Sequence, residues 1–239
     1  MRRLNPVQNA MKSVAASARQ SCAGAIFSLI TLVGLMAGCS VIDKPTRPSM
    51  YDFGPGVLST QTAAASPAGA PLSVLPPLAI ADISTAGGAL DNQAVLYRLA
   101  YTDAQELRPY SQARWSMPPA QLLRQRMREL LGQRRVVLTA REGVALNRSQ
   151  NANLPMLRLE LEEFSQLFSA PDASVGLIRL HATLVEITPA GERLVAQRSL
   201  VVQRPAPSAD AAGGVRALTQ ASDAAIEALD QWLQQLPAR

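Results

Sequence analysis

The chain has 239 residues, 48% of them hydrophobic and 4% aromatic, with 23 Lys and Arg against 18 Asp and Glu. One histidine and two cysteines make three nitrogen and sulfur donors in all, short of the four that a structural zinc site takes. Four of the 23 cations and none of the acids precede Cys39, so the remainder is near neutral and has no basic, aromatic-laced stripe to suit nucleic acid.

In chain order, Arg2, Arg3, Lys12 and Arg19 give a positive start, with Met11 as a second candidate initiation site. The uncharged run Ala23 to Met36 follows, and Ala37-Gly38 lead into Cys39. Charge, a short apolar run and small residues before a cut predict a secretory signal over 1–38. The run falls short of the roughly 20 apolar residues that a spanning helix needs. The ending Leu35-Met36-Ala37-Gly38-Cys39 resembles the lipobox of bacterial lipoproteins, although Met36 stands where Leu is usual. That resemblance implies a covalent diacylglyceryl and N-acyl lipid on Cys39, no other cofactor, and attachment to a membrane through the acyl chains. Ser40 is not Asp, which by the same resemblance implies the outer membrane, on its periplasmic side. Cys22 would leave with the signal, so the mature chain has no thiol free for a disulfide.

Residues 39–71 are rich in Ala, Ser, Thr, Pro and Gly and predict a flexible linker. The island Met50-Tyr51-Asp52-Phe53-Gly54-Pro55 within it suggests a strand that docks on the domain. A single domain is expected over 72–239. Leu72 to Ile83 predicts a strand interrupted at Pro76-Pro77, which argues for a sheet edge. Ala94 to Tyr101 predicts a second strand. Pro118-Pro119 opens a helix, with proline suited to the first turn and Leu122, Leu123, Met127, Leu130 and Leu131 on one face.

Val136 to Leu138 is a short strand. Leu157 to Leu161 and Ile178 to Leu184 alternate apolar with polar residues and predict longer strands. Pro189 to Glu192 predicts a hairpin turn into a strand over Leu194 to Gln203. Asp210 is a candidate cap for a final helix. There Val215, Leu218, Ser222, Ala225, Leu229, Trp232 and Leu236 recur at alternating spacings of 3 and 4. The expected fold is α+β: a mixed or mostly antiparallel sheet packed against two amphipathic helices.

Catalytic chemistry is poorly represented. His181 sits on a strand face with Arg179 and Thr183, without an evident nucleophile or orienting partner. Glu160 and Glu162 alternate with leucines and read as the wet face of a strand. Gly87-Gly88 and Gly213-Gly214 lack a phosphate-loop pattern. The sequon Asn147-Arg148-Ser149 reads as chance. No enzymatic activity is expected.

The segment from Tyr97 to Leu123 concentrates Tyr97, Tyr101, Tyr110 and Trp115. Core packing is the first reading of these aromatics; a binding hot spot is the second. Tyr97-Arg98, Tyr110, and Arg114-Trp115-Ser116-Met117-Pro118-Pro119, together with Cys39 and the Tyr51 island, resemble the signature of the ABC-type transport auxiliary lipoproteins, the PqiC-like group. The Ala, Ser and Pro-rich stretch 59–70 departs from that pattern. The resemblance implies a non-enzymatic lipoprotein that works with an ABC transporter and a mammalian-cell-entry (MCE) protein, docking the periplasmic conduit at the outer membrane. It also implies a homo-oligomeric ring and places Tyr97, Arg98, Tyr110, Arg114, Trp115, Pro118 and Pro119 in the signature. A structural or assembly lipoprotein of the cell envelope is the alternative.

Overall fold

The structure, a computed structural model, describes residues 47–56, 75–150, 153–188 and 191–236. The signal segment, Cys39 and most of the linker lie outside the described residues. The folded unit begins at Arg47 rather than at residue 72. Its first strand, β1 (Ser49–Tyr51), comes from the aromatic island and pairs with Ala113, Arg114 and Trp115.

The next elements are β2 (Leu78–Ile80), β3 (Ser84–Thr85), β4 (Ala94–Leu99), a one-turn helix α1 (Ala100–Asp103), β5 (Ala104–Trp115) and α2 (Pro119–Gly132). Then come β6 (Val137–Thr139), α3 (Ala140–Gln150), the three long strands β7 (Pro155–Ala170), β8 (Ala173–Thr188) and β9 (Gly191–Pro205), and α4 (Ala211–Gln235). The described strands form one mixed sheet, so the α+β expectation holds. Strands β7, β8 and β9 make an antiparallel meander. Along its other side β7 takes β2, β3 and β4 as parallel neighbours.

Strand β2 is not at an edge: it lies between β6 and β7. Pro76 and Pro77 precede the strand and are exposed, so neither is asked to donate to the ladder. Strand β5 was not legible as a strand, because its alternation is broken. Ala94 pairs with Arg114 but Leu96 pairs with Pro109, which leaves surplus residues on β5.

A bulge also ends the alternation in β7. Leu161 pairs with Leu180 and Glu163 with Arg179, so Glu162 is the extra residue. Before it Leu157, Leu159 and Leu161 face the main core; after it Phe164 and Phe168 are buried. The phase slips by one there, which is why the sequence pattern runs only to Leu161.

Helices α2 and α4 cover the main core. Pro119 occupies the first turn of α2, and Leu122, Leu123, Met127 and Leu131 are buried, with Leu130 half-buried. Asp210 caps α4 by accepting from Gly213 N at 2.7 Å. Six of the seven stripe positions are buried; the seventh, half-buried Leu236, lies just past the helix end. Each large apolar side chain buried here contributes roughly 1.5–3 kcal/mol. Gly176 lets α4 approach the sheet: a Cβ there would stand 2.6 Å from the Ala217 carbonyl carbon.

The opposite face of the sheet carries a smaller core of Ala79, Leu154, Met156 and Val185, covered by α3 with Val144. Helix α3 was not expected. It starts with a capping box in which Glu142 accepts from Thr139 N at 2.7 Å and Thr139 Oγ1 accepts from Glu142 N at 3.3 Å. The Thr139 N–H, and then the Thr139 hydroxyl donating to the same carboxylate, hold the exposed Glu142 carboxyl below the usual carboxylate range.

Candidate functional site

The signature residues converge where β4, β5 and β7 meet, and most of their polar groups are spent on one another. Tyr97 on β4 packs on Tyr110 of β5 with ring centroids 4.5 Å apart, and edge-on against Phe168 of β7 at 6.1 Å. The Tyr110 hydroxyl donates to Gln166 Oε1 at 2.8 Å, and Gln166 Nε2 donates to Ser174 Oγ at 2.7 Å. Gln166 is fully buried. Burial pushes the Tyr110 hydroxyl above its ordinary range, with further contributions from Tyr97 and Asp210, so it remains a protonated donor.

Gly214 of α4 closes this cluster from above. A Cβ there would overlap Gln166 Oε1 and stand 2.7 Å from Gln166 Cδ. The glycine pair that resembled no phosphate loop is thus a packing device.

Arg98 points to the opposite face. It reaches Glu163 through Nε at 3.3 Å and Nη2 at 3.0 Å. Its Nη1 donates to the carbonyls of Ala104 and Gln105 at 3.3 and 2.9 Å. Glu163 also accepts from Ser165 Oγ at 2.7 Å. One guanidinium therefore ties the start of β5 to β7, with its carboxylate partner only 9% exposed. The bulge at Glu162 puts Glu163 in reach. Glu163 falls outside the alternation that marked Glu160 and Glu162 in the sequence.

Trp115 is fully buried, edge-on to Phe53 at 5.7 Å and tilted on Phe164 at 5.6 Å. The core reading holds for it. Its Nε1 has no hydrogen-bond partner among the described residues. Phe53, from the island once assigned to the linker, supplies the third ring of this cluster. Pro118 caps α2 and Pro119 is buried beneath it. Arg114 is the exposed member of the signature, in register with Met50 and Ala94. Tyr101 stands apart on α1, 47% exposed.

Two other places lie outside the signature cluster. His181 is half-buried, and its Nδ1 lies 3.1 Å from Ser199 Oγ; Glu160 is its register partner on β7, and no hydrogen bond joins the two among the described residues. Between α2 and α4 lies a cleft of about 500 Å³, floored by Leu130, Leu131 and Ile226. Of the charges that line it, Arg126, Asp223 and Asp230 are paired, while Arg204 and Glu227 have no ion pair among the described residues. Arg126 reaches Asp223 at 2.7 and 2.9 Å and Glu129 at 3.2 Å, while Arg135 pairs with Asp230. The Asp223 bond, the largest influence, keeps the Arg126 guanidinium firmly charged. Among the described residues no helix is long and apolar enough to cross a membrane.

Among solved structures, protein XCC0632 from Xanthomonas campestris is similar, with a TM-score of 0.55 and 21% identity over 70% of this chain and 88% of that one. A second, an uncharacterized protein, gives 0.54 and 13% identity over 78% and 99%. At that identity both show the fold alone. Among curated proteins no sequence matches this chain. Residues 57–235 match the family described as ABC-type transport auxiliary lipoprotein component, a span that includes every signature residue from Tyr97 to Pro119. The chain belongs to the ABC-type transport auxiliary lipoprotein family.

Proposed function

We propose that the protein is a non-enzymatic component of an MCE-type intermembrane lipid transport system, held by acyl chains on Cys39 and docking the periplasmic conduit at the outer membrane. The family match carries this reading, since an auxiliary lipoprotein serves a transporter rather than a reaction. The packing of the signature supports it. Tyr97, Tyr110, Arg98 and Glu163 hold strands together instead of facing a substrate. A domain whose first described strand starts at Ser49, ten positions beyond Cys39, suits a part that presents a surface close to a membrane. Assembly into a ring would match the symmetry of a tubular partner.

The test is in-cell cross-linking of the intact acylated protein, then affinity capture and mass spectrometry. Recovery of an MCE protein with its ATPase and permease is expected. Recovery of unrelated envelope proteins alone would replace this reading with that of a structural lipoprotein. Cys39→Ala should accumulate as unprocessed precursor, and normal outer-membrane recovery of that variant would remove the anchor from the proposal.

A further inference from the structure

Strand β9 is fifteen residues long and bonds only to β8, so its outer edge has no partner among the described residues. Natural sheets shorten, charge or cover such edges, because a row of free N–H and C=O groups is a template for another strand. Here the row can be phased. Ala206 N donates to Ser174 O at 2.9 Å, and the same register runs unbroken from Val175–Pro205 back to Leu184–Ala196. Antiparallel pairs alternate, so the even residues from Ala196 to Arg204 direct their backbone groups toward β8. Gln197, Ser199, Val201 and Gln203 therefore direct theirs outward. Pro205, which has no N–H to offer, falls in the outward phase. The short cross-strand contacts of His181 with Ser199 and of Gln197 with Thr183 at 3.1 Å belong to the non-bonded pairs that this phasing requires.

The side chains set the ligand. Along the α4 face of β9 stand Arg198, Leu200, Val202 and Arg204, at every second position. Arg198 and Arg204 are exposed, and neither has an ion pair among the described residues. By contrast Arg193 on the same strand is paired with Glu186. Val202 between them is half-buried. A strand laid beside β9 would meet a cation, two apolar positions and a second cation on one face. On the other face it would meet Val201, itself 61% exposed, among polar neighbours.

We infer that the β9 edge receives an extended segment of a partner protein, added to the sheet as a further strand and reading acid-x-apolar-x-apolar-x-acid on its inner face. The signature strands β4 and β5 lie across β7 and β8 from this edge, and the inference does not depend on the transport reading.

The test uses the full mature, acylated protein in detergent micelles and a fluorescein-labelled peptide centred on Glu-Thr-Val-Thr-Val-Thr-Glu. Saturable binding is expected, with a scrambled peptide of equal composition at least about tenfold weaker. Val201→Pro deletes an outward donor and leaves the β8 ladder intact, and should weaken binding by about tenfold or more. If Val201→Pro does not fold, R198E/R204E serves instead. It should lose the acidic peptide and gain one carrying Lys in place of both Glu. Equal binding of the scrambled peptide, full binding by a folded Val201→Pro protein, or no binding at all would overturn the inference. So would an oligomer that Val201→Pro splits into monomers, since a second copy would then hold the edge.

Discussion

Gly214→Ala sets two known magnitudes against each other at one atom. Inside a helix, alanine is favoured over glycine by about 1 kcal/mol, so an exposed site would gain stability. At Gly214 the added Cβ overlaps Gln166 Oε1. Gln166 cannot swing away freely, since it is fully buried and bonded to both Tyr110 and Ser174. Displacing it strands two buried polar partners at roughly 1–3 kcal/mol each. The net expectation is a loss of about 1–5 kcal/mol, after the propensity gain. Urea denaturation of the mature chain, followed by circular dichroism, reads this directly. A cycle with Tyr110→Phe isolates the cause. Alone, that change should cost about 1 kcal/mol; on top of Gly214→Ala it should cost almost nothing, because its bond is already lost. Gly132→Ala, with open space around it, is the control and should be neutral or mildly stabilising. A stabilised Gly214→Ala protein, or strict additivity with Tyr110→Phe, would refute the account of the cluster.

Trp115→Ala empties the centre of the Phe53–Trp115–Phe164 cluster and should cost about 3–5 kcal/mol; an unchanged melting temperature would contradict its core placement. Arg98→Met leaves the Glu163 carboxylate nearly buried without its cation and should cost about 3 kcal/mol or more. The pair Arg98→Met/Glu163→Leu should recover part of that loss in the same melts. Asp210→Ala removes the α4 cap and should cost about 1 kcal/mol at neutral pH. The Gly213 N–H, then Ser208, hold the Asp210 carboxyl below its ordinary value. Its contribution is thus complete above the unfolded carboxylate range and fades as pH falls through the lowered folded value. The gap between wild type and Asp210→Ala should close in acid melts, and a gap that persists or widens there would oppose this assignment.

What the sequence made legible was whatever obeys one period without interruption. The stripe of α4 from Val215 to Trp232, the proline start of α2 and the cap at Asp210 are local, and each appears where the spacing put it. Strand β8 is flanked on both sides and keeps its alternation, so its core was recognisable from Ile178 to Leu184. Strands β5 and β7 were hidden or shortened because register shifts break the period of two at Pro109 and Glu162. Helix α3 had a readable sign in Thr139-x-x-Glu142, but it is short and covers a core of only a few side chains. The signature was found as a pattern, yet its partners Gln166, Glu163 and Phe53 lie far off in sequence. Pairing of that kind is tertiary, and no local spacing announces it.

The bulge at Glu162 joins these observations causally. Without the bulge, with Glu162 kept as a regular ladder residue, the alternation of Leu157, Leu159 and Leu161 would continue to Glu163, turning that carboxylate toward the helix-covered core. Phe164, Gln166 and Phe168 would turn the other way, away from Trp115, Tyr110 and Gly214. With it, Glu163 meets Arg98 on the outer face while Gln166 meets Tyr110 on the inner one. One inserted residue thus fixes both halves of the signature onto β7, the strand that also carries β8 and the open edge beyond it. Deleting Glu162 should therefore straighten the ladder and leave the Arg98 and Tyr110 contacts in place, because Leu161 and Glu163 would still stand opposite Leu180 and Arg179; a deletion that costs as much stability as Arg98→Met would oppose this.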